Sequence, residues 1–164
     1  MRKGLVRYVV ISVAILIALL SVWMSYSPSE ERCLVIVKPD GMMKGYKTVI
    51  YDRLGREAHV RLLQEKSYLN APQDILKRHY SEHEARAFFD DLIAFMGSGE
   101  IAVSIWVGPV GSISSIRHLV GSTDPSKALP HSIRAQLATS SRENVIHASD
   151  SVESAEREIQ IWFH

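Results

Sequence analysis

At 164 residues the chain is long enough for one domain with a substantial apolar core, and a composition of 46% hydrophobic and 23% charged residues excludes a mainly disordered protein. A net charge of +1 gives no electrostatic case for nucleic acid as a partner. The single cysteine, Cys33, excludes an intrachain disulfide and a cysteine zinc site.

Arg2, Lys3 and Arg7 precede an uncharged run from Tyr8 to Met24, and no acid appears before Glu30. As a helix at about 1.5 Å per residue the run reaches roughly 26 Å, near the lower limit for a bilayer span. Residues 1–29 are therefore expected to be a single-pass membrane anchor with its linker, residues 8–24 contacting the membrane, ahead of a domain at 30–164. A cleaved signal segment would make the domain secreted or periplasmic, and a start site assigned too far upstream would leave it cytoplasmic. The basic flank places the domain on the side of the membrane away from the cytoplasm.

Residues 33–38 read as a buried strand that delivers Lys38 to a Pro39-Asp40-Gly41 turn. Helical spacing covers 46–57, a weakly alternating strand falls within 59–69, and a short helix leads from Pro72 to His79-Tyr80. A further helix is expected over 84–96, with Phe88, Phe89, Leu92, Ile93 and Met96 on its apolar face and Gly97-Ser98-Gly99 as its stop. Ile101 to Val107 is a third strand and Ser112 to Val120 a helix. A polar loop from Gly121 to about Arg142 leads into a fourth strand that carries His147, and a last helix follows, capped by Ser149, Asp150 or Ser151. This order fits an α+β, ferredoxin-like βαββαβ sandwich with a four-stranded antiparallel sheet and extra helices, preceded by the N-terminal hydrophobic helix. A parallel doubly wound sheet also alternates strands and helices, but the glycine-rich nucleotide loops that would accompany it are missing.

His147 sits where a strand gives way to a helix, a place that holds an imidazole rigidly and favours negative charge nearby. Its plain alternative is a partly buried structural histidine. Three cations from separate segments, Lys38, Arg117 and Arg134, with the Thr123 hydroxyl, suit phosphate oxygens, because arginine binds them bidentately. Phe88 and Tyr80 offer aromatic faces. His79 and His83 are spaced i, i+4, a weak metal-pair signal without the H-E-x-x-H order.

Taken together, Asn144-x-x-His147-Ala148-Ser149-Asp150-Ser151, Lys38-Pro39-Asp40-Gly41, His79-Tyr80, Phe88-Phe89, Gly121-Ser122-Thr123-Asp124-Pro125, Ile133-Arg134 and Ser151-Val152-Glu153-Ser154-Ala155-Glu156 resemble the nucleoside diphosphate kinases from about Glu31 to His164. The resemblance implies a ping-pong transfer of the γ-phosphoryl of a nucleoside triphosphate, typically ATP, to a diphosphate through phospho-His147. It implies that Glu158 orients His147, that Lys38, Arg117 and Arg134 bind phosphate oxygens and stabilise transition-state charge, with Lys38 counted among the catalytic residues beside His147 and Glu158, and that Thr123 donates to a phosphate. Asn144 would meet the sugar and Phe88 the base, with Tyr80 and Ser149 supporting the site. Mg²⁺ would be the cofactor, held by the nucleotide phosphates without direct protein ligands, and a homo-oligomer is implied. A membrane-tethered nucleotide-binding scaffold or a protein histidine phosphotransferase on the same fold is the alternative. The sequence differs from the family pattern at Ala87, His131 and Glu143, the last an extra acid beside Asn144.

Overall fold

The computed structural model describes residues 30–164. A four-stranded, wholly antiparallel sheet has the order β2-β3-β1-β4, with β1 at Glu31–Val37, β2 at Arg61–Tyr68, β3 at Ile101–Gly108 and β4 at Ile146–Ala148. This is the α+β sheet expected from the sequence. Around it lie α1 (Pro39–Met43), α2 (Lys47–Glu57), α3 (Gln73–His79), α4 (Phe89–Met96), α5 (Ser112–Val120), α6 (Ile133–Leu137) and α7 (Val152–Phe163).

The unbroken apolar run of β1 has a simple cause: both faces of the sheet are covered. Cys33, Val35 and Val37 pack with Ile50 and Leu54 of α2 and Ile113 and Ile116 of α5. Leu34 and Ile36 pack on the opposite face with Leu76 of α3, Ile93 and Met96 of α4, and Ile159 and Trp162 of α7. A central strand buried on both faces loses the polar alternation of a half-solvated one. β2 is the exposed edge, with Leu62 and Leu63 open to solvent and a register shift between Leu62 and Gln64.

Three sequence expectations change. Pro39-Asp40-Gly41 opens the single-turn helix α1, where proline at the first helical position needs no N–H partner. The helix expected from residue 84 begins only at Phe89; Ser81–His83 form a 3₁₀ turn, and Glu84 to Ala87 lack the apolar anchors that hold α4 to the sheet. The polar loop after α5 contains a 3₁₀ turn at Pro125–Lys127 and α6, capped by Ser132, which accepts from the Ala135 N–H. Among the described residues no helix is long and apolar enough to cross a membrane. The apolar run at 8–24, and the hydrophobic helix expected there, lie outside the described residues.

Candidate active site

α7 is capped by Ser151, whose hydroxyl accepts from the Ser154 N–H at 3.0 Å, and its buried stripe is Ala155, Glu158, Ile159 and Trp162. An acid on that apolar stripe is anomalous, and its partners explain it. Glu158 is 3% exposed. Its Oε2 lies 3.0 Å from His147 Nε2 and accepts the Ser149 hydroxyl at 2.7 Å. Burial alone would raise the Glu158 carboxyl. His147, His79 and the Ser149 hydroxyl outweigh it and hold the group below its ordinary value. A carboxylate at Nε2 places the ring proton there and leaves the Nδ1 lone pair available. Ser149 Oγ also accepts the Leu34 N–H at 3.1 Å, which fixes the hydroxyl to β1.

His147 itself is the middle residue of β4, opposite Ile36 of β1. The residue two before it carries strain. Val145 has φ 61°, and Ile146 N–H donates to the Asn144 carbonyl at 2.8 Å, a γ-turn that a β-branched residue adopts at a cost of about 1–3 kcal/mol. Neighbours hold it there. Val145 N–H donates to Asp40 Oδ2 at 3.0 Å, and its carbonyl accepts from Lys38 N–H at 2.9 Å. A Cβ on Gly41 would come within 2.8 Å of that same carbonyl, so only glycine fits. The Lys-Pro-Asp-Gly turn therefore serves the histidine strand as much as its own lysine.

His147 and Glu158 open onto a cleft of about 560 Å³ whose lining includes Lys38, Tyr80, Phe88, Arg117, Thr123, Arg134 and Asn144. Ser149 lies behind Glu158. All the sequence-predicted site residues thus converge on one place. Lys38 is buried at the end of β1, its Nζ donating to the Arg142 carbonyl at 3.5 Å. Burial, then the Arg134 charge, lower its ammonium to about 8. Arg134 is buried too, donating to the Gly121 carbonyl at 2.9 Å and the Ile146 carbonyl at 2.7 Å. Burial, then Arg117, bring it down to about 10, still cationic at neutral pH. Arg117 is exposed on α5 and donates to the Ala148 carbonyl at 3.3 Å. Asn144 Nδ2 donates to the Thr123 and Ser141 carbonyls at 3.2 and 2.8 Å, which leaves its Oδ1 without a partner among the described residues. Tyr80 is buried with its ring 6.1 Å from that of His147, and burial raises its phenol. Phe88, expected on the inner face of a helix, instead precedes α4 and is 49% exposed at the cleft mouth.

Glu143 points away from the cleft. Its Oε2 accepts the Thr139 hydroxyl at 3.0 Å, and the extra acid is not among the residues lining the cleft. The suggested His79–His83 pair is not formed by α3, which ends at His79. His79 turns inward and is 2% exposed, its ring 4.6 Å from that of His147, whereas His83 lies at the rim near Phe88. Sequence reasoning missed this role for His79, as it missed Ser141 and Arg142 in the lining; their placement depends on contacts remote in sequence. Donor atoms of His79, His147 and Glu158 lie within 4.8 Å of one another. A metal there meets an obstacle: Trp162 Nε1–H donates to His79 Nδ1 at 3.1 Å, which puts the His79 proton on Nε2. Ligation at Nε2 would require moving that proton to Nδ1, against the indole N–H.

A half-buried imidazole paired with a buried carboxylate thus faces a cationic cleft with an aromatic platform at its mouth, an arrangement suited to phosphate chemistry. Residues 31–164 match the family model described as nucleoside diphosphate kinase. A nucleoside diphosphate kinase of Rhodococcus opacus (strain B4) is 42% identical over 134 residues, 81% of this chain and 94% of that protein. One of Mycobacterium avium (strain 104) is 40% identical over 134 residues, 81% and 96% of the two chains. The Aquifex aeolicus nucleoside diphosphate kinase crystal structure superposes with a TM-score of 0.77 at 38% identity, covering 83% of this chain and 96% of that one. The Encephalitozoon cuniculi enzyme in its apo form superposes with a TM-score of 0.77 at 33% identity, over 81% and 88%. The chain belongs to the nucleoside diphosphate kinase family and is a phosphotransferase acting on nucleotides.

The membrane location expected from the sequence is corrected. The family match starts at residue 31, and the Rhodococcus protein is covered over 94% of its length by 134 residues, which leaves little of it for a spanning segment. No spanning helix is found among the described residues.

Proposed function

We propose that His147 Nδ1 accepts the γ-phosphoryl of a nucleoside triphosphate, typically ATP, and passes it to a nucleoside diphosphate. The Nδ1 lone pair attacks the γ-phosphorus, the bond to the bridging oxygen breaks, and the diphosphate leaves with that electron pair. In the second half-reaction a terminal oxygen of the incoming diphosphate attacks the same phosphorus, and the P–N bond breaks to restore the lone pair. The observation that carries this reading is the 3.0 Å bond between His147 Nε2 and the buried Glu158 carboxylate, itself tied by Ser149 at 2.7 Å. It fixes the tautomer with Nδ1 free and stabilises positive charge on the ring while phosphorus is bound.

Lys38, Arg117 and Arg134 take the roles of phosphate-oxygen ligands, with the Thr123 hydroxyl as a further donor. Asn144 offers its unpartnered Oδ1 to a sugar hydroxyl. Phe88 stacks on the base, and its exposure fits broad base tolerance. The cationic wall suits a Mg²⁺ that arrives on the phosphates, and Glu82 and Asp150 are carboxylates of the same lining that would hold it through its water. When bound, that ion would supply neutralisation of phosphate charge. The open β2 edge, with Leu62 and Leu63 exposed, supports assembly into a homo-oligomer by a second copy of the chain. The domain boundary at 30 accompanies this reading.

Initial rates with both substrates varied test the mechanism. Parallel double-reciprocal lines are expected; intersecting lines would require a ternary complex and rule out the phosphohistidine route.

A further inference from the structure

Two walls of the cleft meet at its mouth. One is the segment between α6 and β4, which supplies Ser141, Arg142 and Asn144 to the lining; the other is the start of α4, with Phe88 and Leu92. Arg142 Nη2 crosses between them and donates to Asp91 Oδ2 at 2.8 Å. Asp91 lies in the first turn of α4, three residues after Phe88. Side chains three apart at a helix start are neighbours, about 5–6 Å between Cβ atoms. The Asp91 bond therefore holds a planar guanidinium beside the aromatic platform, on a segment that approaches from the other side of the slot. The Arg142 backbone is held as well, because its carbonyl accepts from Lys38 Nζ at 3.5 Å and the adjacent Ser141 carbonyl accepts from Asn144 at 2.8 Å. The cationic end of this arginine is spare for phosphate binding: Lys38, Arg117 and Arg134 already line the inner cleft, and Arg142 reaches outward.

We propose that Arg142 is the second face of the base slot: its guanidinium stacks on the base opposite Phe88, with Asp91 setting its position. The proposal rests on the nucleotide-binding reading of the cleft and adds a specificity element to it. A guanidinium stacks on π-faces as a plane, which an ammonium cannot do. Both members of the ion pair are more than half exposed, with side-chain exposures of 54% and 64%. Such a pair contributes little stability of its own, so removing either member should leave the fold intact. Stacking carries no base-edge code, so the slot grips every base and grips the larger purine surface more firmly.

Equilibrium binding of ADP, CDP and inorganic tripolyphosphate separates the base from the phosphates. Arg142→Gly is expected to weaken ADP about fivefold to tenfold and CDP less, with tripolyphosphate unchanged. Arg142→Lys should fail to restore ADP affinity, and Asp91→Asn should weaken ADP about twofold to threefold. Unchanged melting temperatures establish that the variants are folded. Unaltered ADP affinity in Arg142→Gly, full rescue by lysine, or equal weakening of tripolyphosphate would each overturn the stacking role while leaving the phosphotransfer reading intact. Failure of the wild type to bind ADP would overturn both.

Discussion

The inner end of the cleft and its mouth are built on opposite plans. At the inner end, Lys38 follows β1, His147 and Ser149 sit on or beside β4, Glu158 lies within α7 and Arg134 on α6, nearly all buried and each fixed by hydrogen bonds to backbone or to one another. At the mouth, Phe88, Thr123 and Arg142 are exposed and stand on loops or a helix start. On the proposed mechanism the inner end must place a nitrogen lone pair and cationic donors against a phosphorus within a narrow tolerance, and rigid, dry surroundings give that. On the same reading the mouth only has to hold a flat ring, and a shallow, adaptable slot does so without reading base edges. Substitutions at the inner end should therefore act on turnover, and substitutions at the mouth on substrate affinity.

The largest effect is expected at His147. His147→Ala should lower phosphoryl exchange by at least about 10⁴-fold while ADP still binds, measured by coupled assay and calorimetry. Exchange retained in that variant would place the chemistry elsewhere. Glu158→Gln comes next, with kcat expected to fall about 10- to 100-fold and KM nearly unchanged, as for loss of a partner that orients a working imidazole. A change confined to KM would break the division between the two ends.

Phe88→Ala should do the reverse, raising diphosphate KM about tenfold with little change in kcat. The smallest effect is the proton linkage of Lys38. Its ammonium is lowered to about 8 from an ordinary 10.5 by burial. Between these values the unfolded chain holds the proton and the folded chain has lost it. The cost of burying the charge is thus full below about 8 and disappears as pH rises toward 10.5. Phosphate pulls the other way, since it binds only the charged form. ADP affinity should decline as pH rises through 8, and binding there should take up a proton, read from calorimetry in buffers of different ionisation enthalpy. Lys38→Arg should abolish that uptake.

Much of this was legible in the chain. The apolar run of β1, the spacing of α5 and α7 and the caps around Ser151 announced the elements, and the ordered motifs named the cleft residues. Glu158 came only from the family resemblance; the structure shows it as an acid on the apolar stripe of α7, a local inconsistency of the kind that marks working sites. What stayed hidden depends on contacts remote in sequence. No local pattern says that Asp40 braces Val145, 105 residues away in sequence, while Gly41 leaves room for the Val145 carbonyl, or that His79 turns inward onto Trp162. The helix expected from residue 84 failed because Phe88 and Phe89 share an apolar identity but not a face; only Phe89 reaches the core.

The central claim is that His147 carries the phosphoryl group between two nucleotides. Incubating the protein with γ-labelled ATP, removing nucleotide, and mapping the label tests it directly. Acid-labile label on His147, discharged by added nucleoside diphosphate with formation of labelled triphosphate, is the predicted result. Absence of label on His147 under conditions where exchange proceeds, or label that a diphosphate does not remove, would contradict it.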